Sequence, residues 1–206
     1  SARLRPGLRA RFALIAKVGI VMTSSPNNPR GVQHYDLSVE HLQNALNDTL
    51  IALDTDHVDT LMLHRFDPHL QPTAIADWIR DEQREGRVGT FGVSNFDAHA
   101  LALLDGHLPV IANQIELSLA NSDAIGDGTH SATRARGADI QAWSPLGGGD
   151  LRHSGDRVDA GDEGGVVGFA REQGHVVQCQ RGWGFNGRRV GGLLFDRRGR
   201  RQRQGL

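Results

Sequence analysis

Over the first two thirds of the chain, short unbroken apolar runs alternate with longer stretches in which apolar residues recur at three and four positions. The runs Phe12 to Gly19, Val58 to Leu63, Val88 to Val93, Val110 to Ile115 and Ile140 to Ala142 read as strands, the first of them buried on both faces. Between the first two, Leu42, Ala45, Leu46, Thr49, Leu50 and Leu53 fall on one stripe of a helix from Val39 to Leu53. Ser38 stands where a hydroxyl can cap that helix, and Glu40 suits its positive N-terminus. Pro72 and Thr73 open a second helix that runs through Glu85, turns Ile75, Ala76 and Ile79 to one face and stops at Gly86. Asp97 caps a short third helix ending at Leu104. A loop rich in Ser, Asn and Pro, Thr23 to Gly31, is long enough to lie over a site as a flap.

Strands separated by helices run parallel, and a parallel sheet is covered on both faces. Two architectures meet that condition, a doubly wound sheet and a (β/α)8 barrel of the TIM type. No Gly-x-Gly-x-x-Gly turn follows any of the strands, which favours the barrel over a dinucleotide-binding doubly wound fold. About five of the eight strands of such a barrel are present. An open sheet of that kind has two unpaired edges, so self-association through them is expected.

Composition narrows the picture. The 206 residues make one domain or most of a larger one, and a net charge of −1 gives no reason to expect nucleic acid or a membrane as partner. One cysteine, Cys179, leaves no intrachain disulfide and fits a reducing compartment, so the expectation is a soluble, cytoplasmic chain. Residues 1–150 carry the barrel pattern. Residues 151–176 allow one more barrel helix over Arg157 to Gly174, although Gly161, Gly164, Gly165 and Gly168 each weaken it by about 1 kcal/mol. Residues 177–206 form an Arg/Gly-rich tail, for which a disordered or non-native terminus is a simpler reading than an RNA-binding segment.

The chemistry collects at one end of the strands. Lys17, His64, Ser94 with Asn95, Asn113 with Gln114, and Trp143 with Ser144 all stand at C-terminal strand ends. In a parallel barrel those ends open on one face, where active sites lie. Singly, Lys17 is an ordinary snorkelling lysine and His64 a hydrogen-bonded structural histidine; five strands out of five argue for function.

Four motifs in order carry a resemblance. Leu61-Met62-Leu63-His64-Arg65-Phe66-Asp67-Pro68, Gly86-Arg87-Val88 with Gly92-Val93-Ser94-Asn95-Phe96, Asn113-Gln114-Ile115-Glu116 and Ala142-Trp143-Ser144-Pro145-Leu146-Gly147 resemble the aldo-keto reductase family. The likeness is continuous from about Leu4 to Gly149. It implies a (β/α)8 barrel that binds NADPH across its rim and transfers hydride to an aldehyde or ketone carbonyl without a metal. Lys17 and His64 match the lysine and histidine of the family's Asp-Tyr-Lys-His tetrad. Ser94, Asn95 and Gln114 match the residues that hydrogen-bond the nicotinamide carboxamide, and Trp143 the aromatic that stacks on the ring. Ser144, Pro145 and Leu146 match the segment near the pyrophosphate. The tetrad aspartate and tyrosine have no counterpart before Lys17. Tyr35, the single tyrosine, follows Lys17 and is not assigned the proton-donor role. The alternative to an active reductase is a catalytically inactive cofactor-binding or regulatory fragment, or a non-functional remnant of a longer reading frame.

Overall fold

The structure is a computed structural model that describes residues 13–23, 25, 28 and 31–145, together with four strand segments between 166 and 190. In chain order the elements are β1 (Ala13–Val18), β2 (Ile20–Val21), β3 (His34–Tyr35), α1 (Val39–Leu53), β4 (Val58–Leu63), α2 (Pro72–Arg84), β5 (Val88–Ser94) and α3 (Ala98–Leu104). They continue with β6 (Ala112–Glu116), α4 (Asp123–Gly126), α5 (Thr129–Ala135), β7 (Asp139–Trp143), β8 (Val166–Glu172), β9 (His175–Gln180), β10 (Gly182–Trp183) and β11 (Arg189–Val190).

Five strands in the order β7-β6-β5-β4-β1 form the expected parallel sheet, each joined to the next by helix. Its register sets Lys17 beside Met62, Met62 beside Gly92, and Gln114 beside Gln141. The α1 helix keeps the bounds its periodicity predicts. Ser38 Oγ accepts the His41 N–H at 3.3 Å, and at α3 the Asp97 carboxylate accepts the Ala100 N–H at 2.8 Å.

Each strand divides its side chains between two layers. Ala16 and Val18 of β1, Leu61 and Leu63 of β4, and Phe91 and Val93 of β5 pack with Leu42, Leu46 and Leu50 of α1 and Ile75 and Ile79 of α2. The intervening residues Ile15, Met62 and Ala112 form a separate small cluster on the inner face. A Cβ at Gly92 would stand 2.9 Å from the Ala112 carbonyl oxygen and 3.0 Å from Met62 Cε, so the absence of a side chain there lets Met62 fill the interior.

Three features depart from the pattern. The flap after β1 is bracketed by a short hairpin of β2 and β3, with Ile20 beside Tyr35. Its chain is tied at Asn28, which is 7% exposed and donates from Nδ2 to the Met22 and Val32 carbonyls at 3.0 and 2.8 Å. Residues 166–172 are strand where a helix over 157–174 was expected; the glycines around them weaken a helix, and β-branched Val166 and Val167 favour extended backbone. Residues 151–165 of that segment lie outside the described residues. The β1 edge of the sheet, expected to be open, is paired antiparallel by β9, which pairs in turn with β8.

Candidate active site

The five parallel strands end together, and their terminal residues meet. Lys17 is 6% exposed on β1, and its ammonium donates to the Gln114 side-chain oxygen on β6. Gln114 Nε2 in turn donates to Gln141 Oε1 of β7 at 3.2 Å. Burial, and then the positive charge of Arg65, lower the Lys17 pKa from 10.5 to about 8.

A second line of contacts starts at the end of β5. Ser94 is 1% exposed and donates from Oγ to the Gln114 backbone carbonyl at 3.0 Å. Ser94 Oγ accepts from Asn95 Nδ2 at 2.9 Å, and Asn95 Oδ1 accepts from the Trp143 indole N–H at 3.0 Å. A single hydrogen-bonded run therefore joins Trp143, Asn95, Ser94, Gln114 and Lys17. Asn95 adopts φ 54°, a left-handed conformation that asparagine tolerates better than most residues, and Ser144 after β7 adopts φ 51°. Two of the three non-glycine residues with positive φ among those described thus stand on this rim.

The turn at Asn95 is fixed from below. Asn113 on β6 is fully buried; its Nδ2 donates to the Phe96 carbonyl at 2.7 Å and its Oδ1 accepts the Phe96 N–H at 3.4 Å. Sequence reasoning placed Asn113 among the rim polar groups, and its contacts make it a clamp on the rim turn. Phe96 meets Phe66 edge-on, with ring centres 5.7 Å apart, so the turns after β4 and β5 are packed together.

His64, half-buried, follows β4 by one residue, and its backbone N–H is bonded to the Val18 carbonyl at 2.9 Å. By the alternation that sends Met62 inward, His64 stands on the Lys17 side of the sheet. Arg65 lies over the Trp143 ring, its guanidinium carbon 5.6 Å from the ring centre. Pro145 is exposed at the end of the rim, and Leu146 lies outside the described residues. Sequence reasoning passed over Arg65 and Gln141. Arg65 was available as the neighbour of His64, whereas Gln141 becomes visible only once β6 and β7 are set in register.

The free capacity of this set fits a carboxamide. Asn95 keeps one N–H and one acceptor lone pair, and Ser94 Oγ keeps an acceptor lone pair. A ligand amide offers two N–H donors and one carbonyl oxygen, the complement of that set, and the Trp143 indole supplies a flat apolar surface beside it. Among the described residues no group of three or more His, Cys, Asp or Glu is placed to hold a metal ion.

Parallel strands curled about an inner cluster, with polar groups converging at their C-terminal ends, define the active-site rim of a (β/α) barrel. The chain belongs to the aldo/keto reductase family, whose sequence model matches residues 3–166. It is 37% identical over 150 residues to the uncharacterized oxidoreductase YcsN of Bacillus subtilis, an alignment covering 72% of this chain and 50% of that protein. It is 34% identical over 183 residues to the oxidoreductase YdhF of Escherichia coli, covering 88% and 61%. It is also 34% identical over 148 residues to a 6-dehydroglucose reductase of Agrobacterium fabrum, covering 71% and 50%. The chain thus spans half to three fifths of the length of these relatives. In fold it is similar to the glycerol dehydrogenase AKR11B4 of Gluconobacter oxydans, with a TM-score of 0.60, 19% identity, and coverage of 68% of this chain and 42% of that one.

Proposed function

We propose that this rim binds NADPH and serves the reduction of an aldehyde or ketone to an alcohol. The observation that carries the reading is the hydrogen-bonded run from Trp143 through Asn95 and Ser94 to Gln114 and Lys17, whose spare donors and acceptors suit a carboxamide and which ends on a buried cation. Bound NADPH supplies the hydride that goes to the carbonyl carbon. In this reading Asn95, Ser94 and Gln114 orient the carboxamide, Trp143 holds the ring by stacking, and Ser144 and Pro145 are assigned to the pyrophosphate by the family likeness. NADP rather than NAD is taken from the family likeness alone.

As the carbonyl carbon gains electrons, its oxygen becomes an alkoxide. Lys17 and His64 are the donors that stabilise that charge, in surroundings where little water competes. A proton must then reach the oxygen. In this reading the ammonium of Lys17, with its pKa of about 8, is the proton source, and Tyr35, 45% exposed on β3, takes no part. That same exposed tyrosine favours the second reading, a cofactor-binding chain without turnover.

Purified protein mixed with NADPH and a simple aromatic aldehyde tests the first reading through loss of NADPH absorbance. Turnover that falls at least tenfold in both Lys17→Met and His64→Ala supports it. No turnover, together with saturable quenching of tryptophan emission by NADPH, supports the second reading. A flat titration rejects both.

A further inference from the structure

Resting on the reductase reading of the same rim, we propose that Arg65 is a specificity-determining anion receptor that selects carbonyl substrates bearing a carboxylate. Five of the described arginines, Arg80, Arg84, Arg87, Arg134 and Arg136, each pair with an aspartate or glutamate. Of the six arginines between residues 31 and 145, Arg65 alone has no carboxylate partner among the described residues. Its guanidinium instead donates from Nη1 to the His64 carbonyl at 3.2 Å and rests on the Trp143 ring. A half-buried guanidinium keeps most of its five donors when it makes one backbone bond, and those donors match two carboxylate oxygens side by side.

Position gives the ligand its place. Arg65 is the neighbour of His64 and stands close enough to Lys17 for the two positive charges to repel, a contribution second to burial in lowering the Lys17 pKa. An anion on Arg65 relieves that repulsion, so the site gains by taking one. The contacts of Arg65 lie with His64 and Trp143, at the end of the rim assigned to the reacting carbonyl, and not with Ser144 and Pro145, assigned to the pyrophosphate. The substrate class is therefore an oxo acid or aldehyde acid whose carboxylate sits a few bonds from the carbonyl. Its carboxylate engages Arg65 while its carbonyl oxygen faces Lys17 and His64. A phosphate of the cofactor has the same oxyanion chemistry and is the competing source.

The test uses the full chain and two probes that do not react. Benzoate and its neutral analogue benzyl alcohol are titrated while tryptophan emission is followed, in the parent, in Arg65→Gln and in Trp143→Phe. A saturable change with benzoate that benzyl alcohol does not give, and that Arg65→Gln weakens about 10–100-fold, is the expected result. Trp143→Phe should abolish the signal. Equal response to both probes, or benzoate binding unchanged in Arg65→Gln, overturns the proposal. Kinetics supply the second arm: kcat/KM for 4-carboxybenzaldehyde against 4-methylbenzaldehyde. The carboxylated substrate should lose at least tenfold more than the neutral one in Arg65→Gln. A uniform loss on both aldehydes, accompanied by a weakened Kd for NADPH, assigns Arg65 to the cofactor's phosphate and overturns the substrate role. Failure of the reductase reading appears separately, as absent NADPH oxidation with either aldehyde while the benzoate titration still distinguishes Arg65→Gln from the parent.

Discussion

Lys17 and Gln114 are joined side chain to side chain although they lie 97 positions apart and their strands never touch. Strands β4 and β5 stand between β1 and β6, and three strand spacings in a flat sheet would set the backbones about 14 Å apart. The bond can form only across the inside of a curled sheet. Arg65 over Trp143 spans the gap from β4 to β7 in the same way. Curvature, not proximity in sequence, therefore assembles the rim.

The buried lysine makes pH a direct probe. Its folded pKa is lowered from 10.5 to about 8, so between those values the unfolded chain binds more protons than the folded one, and stability rises with pH through that window. Below about pH 8 the cost of the buried charge is fully present. Urea melts of the parent and Lys17→Met should converge or cross in the parent's favour as pH rises from 8 to 10.5, by at most about 3 kcal/mol. A stability difference that stays constant across that range rules out a buried titrating lysine. Turnover should fall as pH rises through about 8, where the folded chain loses the ammonium.

The Asn95 contacts are separable from its backbone. At φ 54° glycine is at ease, so Asn95→Gly removes the carboxamide while keeping the turn. Binding of NADPH, followed by tryptophan quenching, should weaken about tenfold, the worth of one or two hydrogen bonds. The urea midpoint should change much less than it does on Asn113→Ala, which leaves the Phe96 N–H and C=O without their side-chain partner. An unchanged Kd for NADPH in Asn95→Gly would remove Asn95 from the cofactor site.

What the sequence made legible follows from local periodicity. The α1 bounds, the capping of α1 and α3, and the five strands need only the 3.6- and 2-residue repeats, and the C-terminal rim follows from parallel order. The division of labour between Asn113 and Gln114 was not legible. Adjacent residues on one strand face opposite layers, so one clamps Phe96 and the other meets Lys17. Arg65 was hidden for a related reason, since its partner Trp143 arrives from three strands away. The antiparallel cover on β1 could not be read because residues 166–180 share no period with the barrel strands.

Gly92 tests how tightly the inner face is filled. A methyl group there meets the Ala112 carbonyl, a backbone atom that can retreat only if β6 moves away from β5, and the end of Met62, which can swing. Gly92→Ala should cost about 1–3 kcal/mol in urea denaturation, and Gly92→Val more. Relieving the side-chain half of the clash with Met62→Ala should not restore stability, because the backbone contact remains. Full rescue by that second change would mean that Met62 alone sets the need for glycine.

Glu82 occupies the buried stripe of α2, three residues past Ile79, where an apolar residue would be expected. It is 3% exposed, and Arg87, at the entry to β5, satisfies both carboxylate oxygens from Nε and Nη2 at 2.7 and 2.8 Å. The same guanidinium donates from Nη1 to Asn47 of α1 at 2.9 Å, so one arginine ties α1, α2 and β5. A bidentate pair of this kind offsets its own desolvation but contributes little beyond a well-packed apolar pair. Its removal one partner at a time is different. Arg87→Met strands a buried carboxylate and should cost about 3–5 kcal/mol, whereas Glu82→Gln leaves a neutral group that still accepts from Arg87 and should cost less. Combining Glu82→Leu with Arg87→Met should recover much of the loss, giving a coupling of a few kcal/mol in a double-mutant cycle. Additive single effects in that cycle would show that the two side chains act independently, and the ordering of α1, α2 and β5 would then rest on the apolar stripe alone.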